Sequence, residues 1–176
     1  MMEDLSLHIL DIVENAVAAG ATRVSIAVDE NSARDLLALR VTDNGRGMTR
    51  EERRRAFDPF FTTGRKRTGL GLPLLAQTAA QSGGRIRLES APGRGARITA
   101  RFRLSHVDRP PLTRIAETLL ALAFGHPGVD LRYRHARNGV VFGWTRKGGR
   151  TGAVSPAEVA ALRRRIEAGL GRIGAG

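Results

Sequence analysis

The chain contains no cysteine, which excludes disulfide bonds, cysteine-ligated zinc or iron–sulfur centres and any thiol nucleophile. It also lacks an apolar run approaching the roughly 18 residues of a membrane span. Its four histidines show no metal-ligand spacing, so we expect no structural metal. Near the N-terminus, Glu3 and Asp4 stand where a signal peptide would carry positive charge. The sequence therefore predicts a cytoplasmic protein.

The length and the charge set further bounds. With 176 residues, the chain has room for one domain of ordinary size and a short appendage. The net charge of +12 is the kind of electrostatic footprint that nucleic-acid binding leaves. However, arginine supplies 27 of the 29 basic residues in a chain that is also rich in glycine and alanine, a pattern that coding bias alone can produce. The charge by itself therefore assigns no function.

The N-terminal part predicts a helix followed by a β-hairpin. Apolar residues recur at helical spacing over residues 4–19, and Gly20 ends the helix. Two runs of alternating apolar residues, 24–28 and 37–41, predict antiparallel strands. The polar residues of the helix share one stripe that we expect to face a polar site: Asp4, His8, Asp11 and Asn15.

The middle of the chain predicts two more helices and two more strands. The last of these strands alternates cleanly, with Ala96, Ile98 and Ala100 on an apolar face and arginines with Thr99 on a basic one. Four strands with helices on a single face form an α+β fold, a two-layer α/β sandwich with a mainly antiparallel sheet. These elements lie in the ranges 49–57, 72–81, 85–90 and 96–104.

The pattern of predicted helices and strands changes after residue 105. A Pro110-Pro111 break is followed by a helical pattern, two strand-like runs around an Asn138-Gly139 turn, and a final helix. We therefore predict two units: a first domain over residues 1–105 and a small α-β-β-α appendage over residues 106–176. The appendage is either a docking element or a cap over a sheet edge.

The first motif with chemical meaning is LALRVTDNGRGM, residues 37–48. A strand runs directly into Asp43, and Gly45 and Gly47 follow it. A fixed carboxylate beside a backbone that a flat ring can approach suits an exocyclic amine. The alternative is a tight turn, because Asp-Asn-Gly favours turns by itself.

The second motif is TTGRKRTGLGL, residues 62–72, which leads into a helix. Glycines before a helix N-terminus expose backbone N–H groups to anions, and the basic residues add mobile cations, so the segment suits a polyphosphate. It is not a P-loop, because Leu70-Gly71 stands where that motif requires Lys-Ser or Lys-Thr. The alternative is a flexible basic loop.

The third motif is the pair Asp11 and Asn15, one turn apart on the first helix. An asparagine oxygen can ligate Mg²⁺, and a carboxylate on the same face can orient or deprotonate a hydroxyl. A solvated helix face is the alternative, although the apolar neighbours of Asn15 weaken it.

These motifs resemble one family when they are taken in order. A helix with Asn15, a strand ending in DNGRG (43–47), FDPF (57–60) and GLG (69–71) is the order found in the GHKL superfamily of ATP-binding domains. Gyrase, mismatch-repair ATPases, heat-shock chaperones, histidine kinases and anti-sigma serine kinases share this domain, and the resemblance covers residues 5–104. The whole chain also resembles small stand-alone ATP-binding proteins encoded near iron-only hydrogenase genes.

The resemblance implies ATP and Mg²⁺ as ligands. Asp43 would bind the adenine amine, Asn15 would ligate the metal, and Asp11 would be the catalytic base, one methylene shorter than the usual glutamate. Thr99 would replace an adenine contact that is lost because alanine stands at position 96. The remaining expected nucleotide contacts are Gly45, Gly47, Met48, Phe60, Phe61, Thr62, Thr63, Lys66, Thr68, Gly69, Leu70, Gly71 and Leu72.

The expected function is a kinase catalytic module that acts in trans, in a two-component-like or anti-sigma-like signalling system, on a separate partner protein. We expect the protein to lack both a dimerisation helix with a phosphoacceptor histidine before the ATP-binding motifs and a transducer domain after them. The alternative is an ATP-dependent switch or slow ATPase that docks on a partner, for example a hydrogenase-associated one, without phosphorylating it. Nucleic-acid binding by Arg97, Arg101 and Arg103 is least favoured, because no aromatic residues are interleaved with them.

Overall fold

The computed structural model describes residues 4–59, 71–149 and 154–175. Five helices and six strands lie within these residues. No helix among them is long and apolar enough to cross a membrane. In chain order the elements are α1 (Leu5–Ala18), β1 (Arg23–Asn31), β2 (Leu36–Asp43), α2 (Arg50–Arg55), α3 (Gly71–Gln81), β3 (Arg85–Ser90), β4 (Ala96–Arg103), α4 (Ile115–Gly125), β5 (Asp130–Arg137), β6 (Val140–Arg146) and α5 (Pro156–Arg172).

All six strands form one sheet in the order β3-β4-β2-β1-β5-β6. Neighbouring strands are antiparallel except β1 and β5, which run parallel. The connection from β4 to β5 passes through α4, as a parallel pairing requires a crossover. The predicted α+β sandwich is therefore confirmed, and the C-terminal segment has the predicted α-β-β-α order. Its two strands extend the same sheet, while the division at residue 105 stays a prediction.

The core lies between the sheet and the helices on one of its faces. Alternate residues of every central strand are buried, as Val24, Ile26 and Val28 of β1 show, and these residues pack with apolar side chains of α1, α3, α4 and α5. A strand whose residues alternate between buried and exposed presents one face to the core. The opposite face of the sheet is therefore the exposed one.

The polar stripe of α1 is divided between the interior and the surface. Asp4 and His8 are buried, whereas Asp11 and Asn15 are exposed. Asp4 caps the helix, since its Oδ1 accepts from the Ser6 N–H at 2.8 Å, and its Oδ2 accepts from the Thr113 hydroxyl at 2.6 Å. The expectation that the whole stripe faces one polar site is thus wrong, because the segment before α4 covers its first half.

Candidate functional site

Asp43 lies at the end of β2 on the helix side of the sheet. It is half-buried and continues the inward-facing row that includes Val41. Its Oδ1 accepts a hydrogen bond from the Gly45 N–H at 2.8 Å and a longer one from the Ala96 N–H at 3.3 Å. In the described part of the chain, no donor lies within hydrogen-bond distance of Oδ2. One carboxylate oxygen is therefore held by the backbone, and the other is available as an acceptor.

Glycines allow the two loops beside Asp43 to come into contact. Gly47 and Gly95 have φ angles of +70° and +68°. A Cβ atom on Gly47 would overlap the carbonyl oxygen of Ala91, and one on Gly95 would overlap the carbonyl oxygen of Asp43. Side chains at these two positions would both strain the backbone and push the loops apart.

Ser90 ties the same loops together. Its hydroxyl accepts from the Met48 N–H at 2.9 Å and donates to the Gly95 carbonyl at 2.7 Å. The Arg53 guanidinium donates to the Ser90 carbonyl at 2.9 Å. Neither Ser90 nor Gly95 was among the predicted site residues, although Gly95 belongs to a Pro-Gly-Arg-Gly turn. A hydroxyl that links two loops across 42 residues leaves no local sequence signal.

The exposed half of α1 meets the beginning of α3. A Cβ atom placed on Gly71 would lie 3.5 Å from the Asp11 Cβ and 3.7 Å from the Asp11 Oδ2. The Asp11 carboxyl group therefore lies directly against the backbone at the N-terminal end of α3. Asn15 follows one turn later on the exposed side of α1. The fold thus places two of the predicted site residues, Asp11 and Gly71, side by side, and a third, Asn15, lies one turn further along α1.

Glu14, the other carboxylate in this part of α1, is already engaged. Its Oε1 lies 2.8 Å from the Nε2 of His126, which follows α4. The contact joins the C-terminal segment to the helix that carries Asp11 and Asn15. Glu14 therefore has a packing partner and does not share the position of Asp11 beside α3.

The structure does not bring every predicted residue to one place. Leu72 lies in the first turn of α3 and packs against the core. Thr99 pairs with Arg40 and Arg87 and lies on the sheet face opposite Asp43, so the expectation that it replaces a contact near Ala96 does not fit the geometry. The predicted contacts outside the described residues are Phe60, Phe61, Thr62, Thr63, Lys66, Thr68, Gly69 and Leu70.

A second polar cluster lies between β1 and β5, away from Asp43. Glu30 Oε1 accepts from the His135 Nε2 at 2.7 Å, and the Tyr133 hydroxyl lies 2.8 Å from the His135 Nδ1. Arg137 lies 3.6 Å from the Glu30 Oε2. The hydrogen bond from His135, together with nearby positive charge, holds the pKa of Glu30 below its ordinary value of 4.5. Burial raises the pKa of Tyr133.

Comparison with known proteins places residues 3–106 in one family. This segment matches the model described as histidine kinase-, DNA gyrase B-, and HSP90-like ATPase. The sensor histidine kinase ZraS of Klebsiella oxytoca is 39% identical over 92 residues, which is 52% of this chain and 20% of the relative. The sensor-like histidine kinase SenX3 of Mycolicibacterium smegmatis is 32% identical over 97 residues, covering 52% of this chain and 25% of the relative. The chain therefore spans a quarter or less of these relatives.

A solved structure shares the fold over more of the chain. It is described as the N terminal domain of a DNA repair protein, and it matches 84% of this chain and 54% of its own with a TM-score of 0.63 and 10% identity. At this identity the likeness concerns the fold alone. The family match covers more than half of the chain and confirms the predicted superfamily. This protein therefore belongs to the family of histidine kinase-, DNA gyrase B- and HSP90-like ATPases, with an ATP-binding domain over residues 3–106.

Proposed function

We propose that this protein binds Mg·ATP and acts in trans, as a kinase catalytic module that transfers the γ-phosphoryl group to a separate protein. The observation that carries the proposal is the contact of the Asp11 carboxyl group with the start of α3 at Gly71. In this family the phosphates would lie where α1 faces this helix end. A carboxylate here is placed to act on the group that attacks or leaves.

The adenine would bind at the other end of the site. Asp43 would accept a hydrogen bond from the exocyclic amine through Oδ2, while its Oδ1 stays bound to the backbone. Gly45 and Gly47 let the loop after β2 pack closely against Ala19 and Ala91 beside Asp43. The half-buried Met48 would contribute an apolar wall. Thr99 is not included, because it lies on the opposite sheet face.

The side chains of α1 fit a Mg²⁺ ion that is shared with the nucleotide. Among the described residues there is no group of three or more His, Cys, Asp or Glu that would enclose a metal. Mg²⁺ bound to ATP needs few protein ligands, because phosphate oxygens and water supply the rest. The exposed amide oxygen of Asn15 would be one such ligand. When bound, the ion neutralises the charge of the phosphate oxygens.

The transfer step requires little covalent chemistry from the protein. The acceptor forms a bond to the γ-phosphorus while the bond from this atom to the bridging oxygen breaks, and ADP leaves with the electron pair. Asp11 would take the proton of a hydroxyl or imidazole acceptor. The two sensor histidine kinases match about half of this chain and a quarter or less of their own length, so the separate acceptor is part of the proposal.

Labelled ATP tests this function. The purified protein is incubated with Mg²⁺ and γ-labelled ATP, alone and with proteins of its source cells, and free phosphate and labelled protein are followed together. We expect a labelled partner that Asp43→Asn and Asp11→Asn abolish, with ATP affinity retained in Asp11→Asn. Asp108→Asn, the same change at an exposed position after β4, is the matched control. A labelled partner that survives Asp11→Asn and Asp43→Asn would contradict the proposal.

A second candidate function is an ATP-dependent switch or slow ATPase that docks on its partner without phosphorylating it. The observation that favours it is the engagement of Glu14 by His126 at 2.8 Å. Asp11 is thus the carboxylate left beside α3, and it is one methylene shorter than the glutamate common in hydrolysing relatives. Tight ATP binding without a labelled partner, and with little free phosphate, would support this candidate.

A further inference from the structure

The sheet face opposite the helices is strongly basic. In the described structure three carboxylates lie among its arginines: Asp29, Glu89 and Asp130. The alternation of the strands and their register put nine arginines on this face, all exposed: Arg23, Arg40, Arg85, Arg87, Arg97, Arg101, Arg103, Arg132 and Arg134. The two C-terminal arginines of this set come from β5, so the segment after residue 106 helps to build the face.

The described part of the chain leaves most of this charge uncompensated. Arg87 pairs with Glu89 at 2.9 Å, and Arg103 pairs with Asp35 at 2.7 Å. Arg85 stands directly opposite Arg101 in the register of β3 and β4, an arrangement of like charges that disfavours folding. Seven of the nine have no carboxylate of the described residues within ion-pair distance: Arg23, Arg40, Arg85, Arg97, Arg101, Arg132 and Arg134.

Five of these arginines define a shallow trough, with four on its two sides and Arg40 between them. Arg97 and Arg101 on β4 form one wall, and Arg132 and Arg134 on β5 form the other. The walls are three strand spacings apart, or about 14 Å. An α-helix with its side chains is about 10–12 Å across, so the width suits one helix. Between the walls lie Ser25, Ala27, Asp29, Ala38, Arg40 and Thr42, so the floor carries one arginine and one carboxylate among small residues.

A cavity continues the trough at the Arg97 end. Its volume is about 660 Å³, and it lies at the ends of β3 and β4. Four arginines line it, together with Glu89: Arg53, Arg87, Arg94 and Arg97. The positive charge thus extends past the sheet edge, where the end of a bound segment with acidic residues would find further partners.

We propose that this arginine trough docks an acidic α-helix of a partner protein. The inference rests on the proposed action on a separate partner and names the chemistry of its docking surface. Charge complementarity favours such a partner, and carboxylates on both flanks of the helix would meet the two arginine walls.

Nucleic acid fits the trough less well than an acidic helix. Single strands need aromatic platforms, whereas the aromatic residues of the described strands face the helices and are buried: Phe102, Tyr133, Phe142 and Trp144. An acidic helix is therefore the partner that this surface favours.

Binding of defined probes tests this inference. The full chain is titrated, at low and at physiological salt, with a labelled helical peptide that carries glutamates on both flanks and alanines between them. A peptide of the same composition with two central prolines and a 20-base-pair duplex DNA serve as comparisons. Arg40→Glu with Arg134→Glu is compared with Arg164→Glu and Arg165→Glu, which change the charge equally on the exposed side of α5.

We expect the helical peptide to bind at least tenfold more tightly than the proline-containing one, and to lose at least tenfold in affinity only in the trough variant. Equal losses in both double variants, equal binding of the two peptides, or tighter trough-dependent binding of duplex DNA would overturn the proposal. ATP affinity is measured in the same variants. An intact ATP site with no peptide selectivity would refute the docking surface alone, and peptide selectivity without ATP binding would refute the proposed function alone.

Discussion

Two carboxylates at opposite ends of the β1–β2 hairpin differ in how the fold uses them. Asp43 and Glu30 both lie on the helix side of the sheet. Both oxygens of Glu30 have a protein partner, since the His135 Nε2 donates to Oε1 at 2.7 Å and the Arg137 Nε forms an ion pair with Oε2 at 3.6 Å. Asp43 has one oxygen bound to the backbone and none of the described donors on the other. A carboxylate that stabilises the fold has protein partners at both oxygens, whereas one that binds a ligand has an oxygen free to accept from that ligand.

The largest expected effect concerns stability. Glu30→Ala leaves the buried His135 ring without its acceptor, so we expect the free energy of unfolding to fall by about 3 kcal/mol. Asp43→Ala removes a half-buried side chain that serves two backbone donors, and we expect a loss of about 1 kcal/mol. Urea unfolding of both variants checks the difference. Equal losses would contradict the distinction between the two carboxylates.

The loops around Asp43 provide the next test. Gly47→Ala would strain a backbone with φ +70° and overlap the Ala91 carbonyl, whereas Gly93 has a similar φ of +74° and open space around it. We expect Gly47→Ala to destabilise the fold by about 2 kcal/mol more than Gly93→Ala. Thermal and urea unfolding measure both. The explanation by loop contact fails if the two variants lose the same stability.

The pH dependence of stability tests the contribution of Glu30 separately. Because the pKa of Glu30 is lowered in the fold, its contribution is fully present above its ordinary pKa of 4.5 and is lost as the pH falls through the lower folded value. We therefore expect the wild type to lose more stability than Glu30→Gln as the pH is lowered below 4.5. Unfolding midpoints over this range measure it. Parallel curves would show that Glu30 is not specially stabilised.

The smallest expected effect is the change in ATP affinity when Thr99 is substituted. This residue lies on the exposed sheet face, across β4 from Ala96. Thr99→Val is therefore expected to change ATP affinity by less than about twofold, since the energy of a contact that is not made cannot be lost. A fluorescent nucleotide displacement assay suffices. A tenfold loss would return Thr99 to the site.

The sequence predicted those parts of the molecule that depend on local patterns. The helix before Gly20, the hairpin of β1 and β2 and the α-β-β-α order of the last segment all follow from periodicity and turn residues. Asp43 and its glycines were found because they occur together over five residues. These features need no knowledge of what packs against them.

The remaining features depend on contacts between distant segments. Alternation of apolar residues does not reveal which strand pairs with which, so the parallel pairing of β1 and β5 was not predicted. His8 is buried, although its place in the polar stripe of α1 predicted a polar site. α4 and the segment before it cover this end of α1. The contact of Glu14 with His126 joins residues 112 positions apart.

Thr99 is a different case, because the sequence alone shows on which face of the sheet its side chain lies. Ala96 and Thr99 are an odd number of residues apart in a regular strand, so their side chains point to opposite faces. A hydroxyl at position 99 therefore cannot replace one at position 96. The alternation of β4 therefore excludes the replacement that the resemblance implied.

ATP titration of the two carboxylate variants tests the central claim most directly. Isothermal calorimetry with ATP and Mg²⁺ is carried out on the wild type, Asp43→Asn and Glu30→Gln. The account predicts one ATP per chain, a loss of roughly 100-fold in Asp43→Asn because a donor replaces the acceptor of a charge-assisted bond, and unchanged affinity in Glu30→Gln. Undiminished ATP affinity in Asp43→Asn, or an equal loss in both variants, would contradict it.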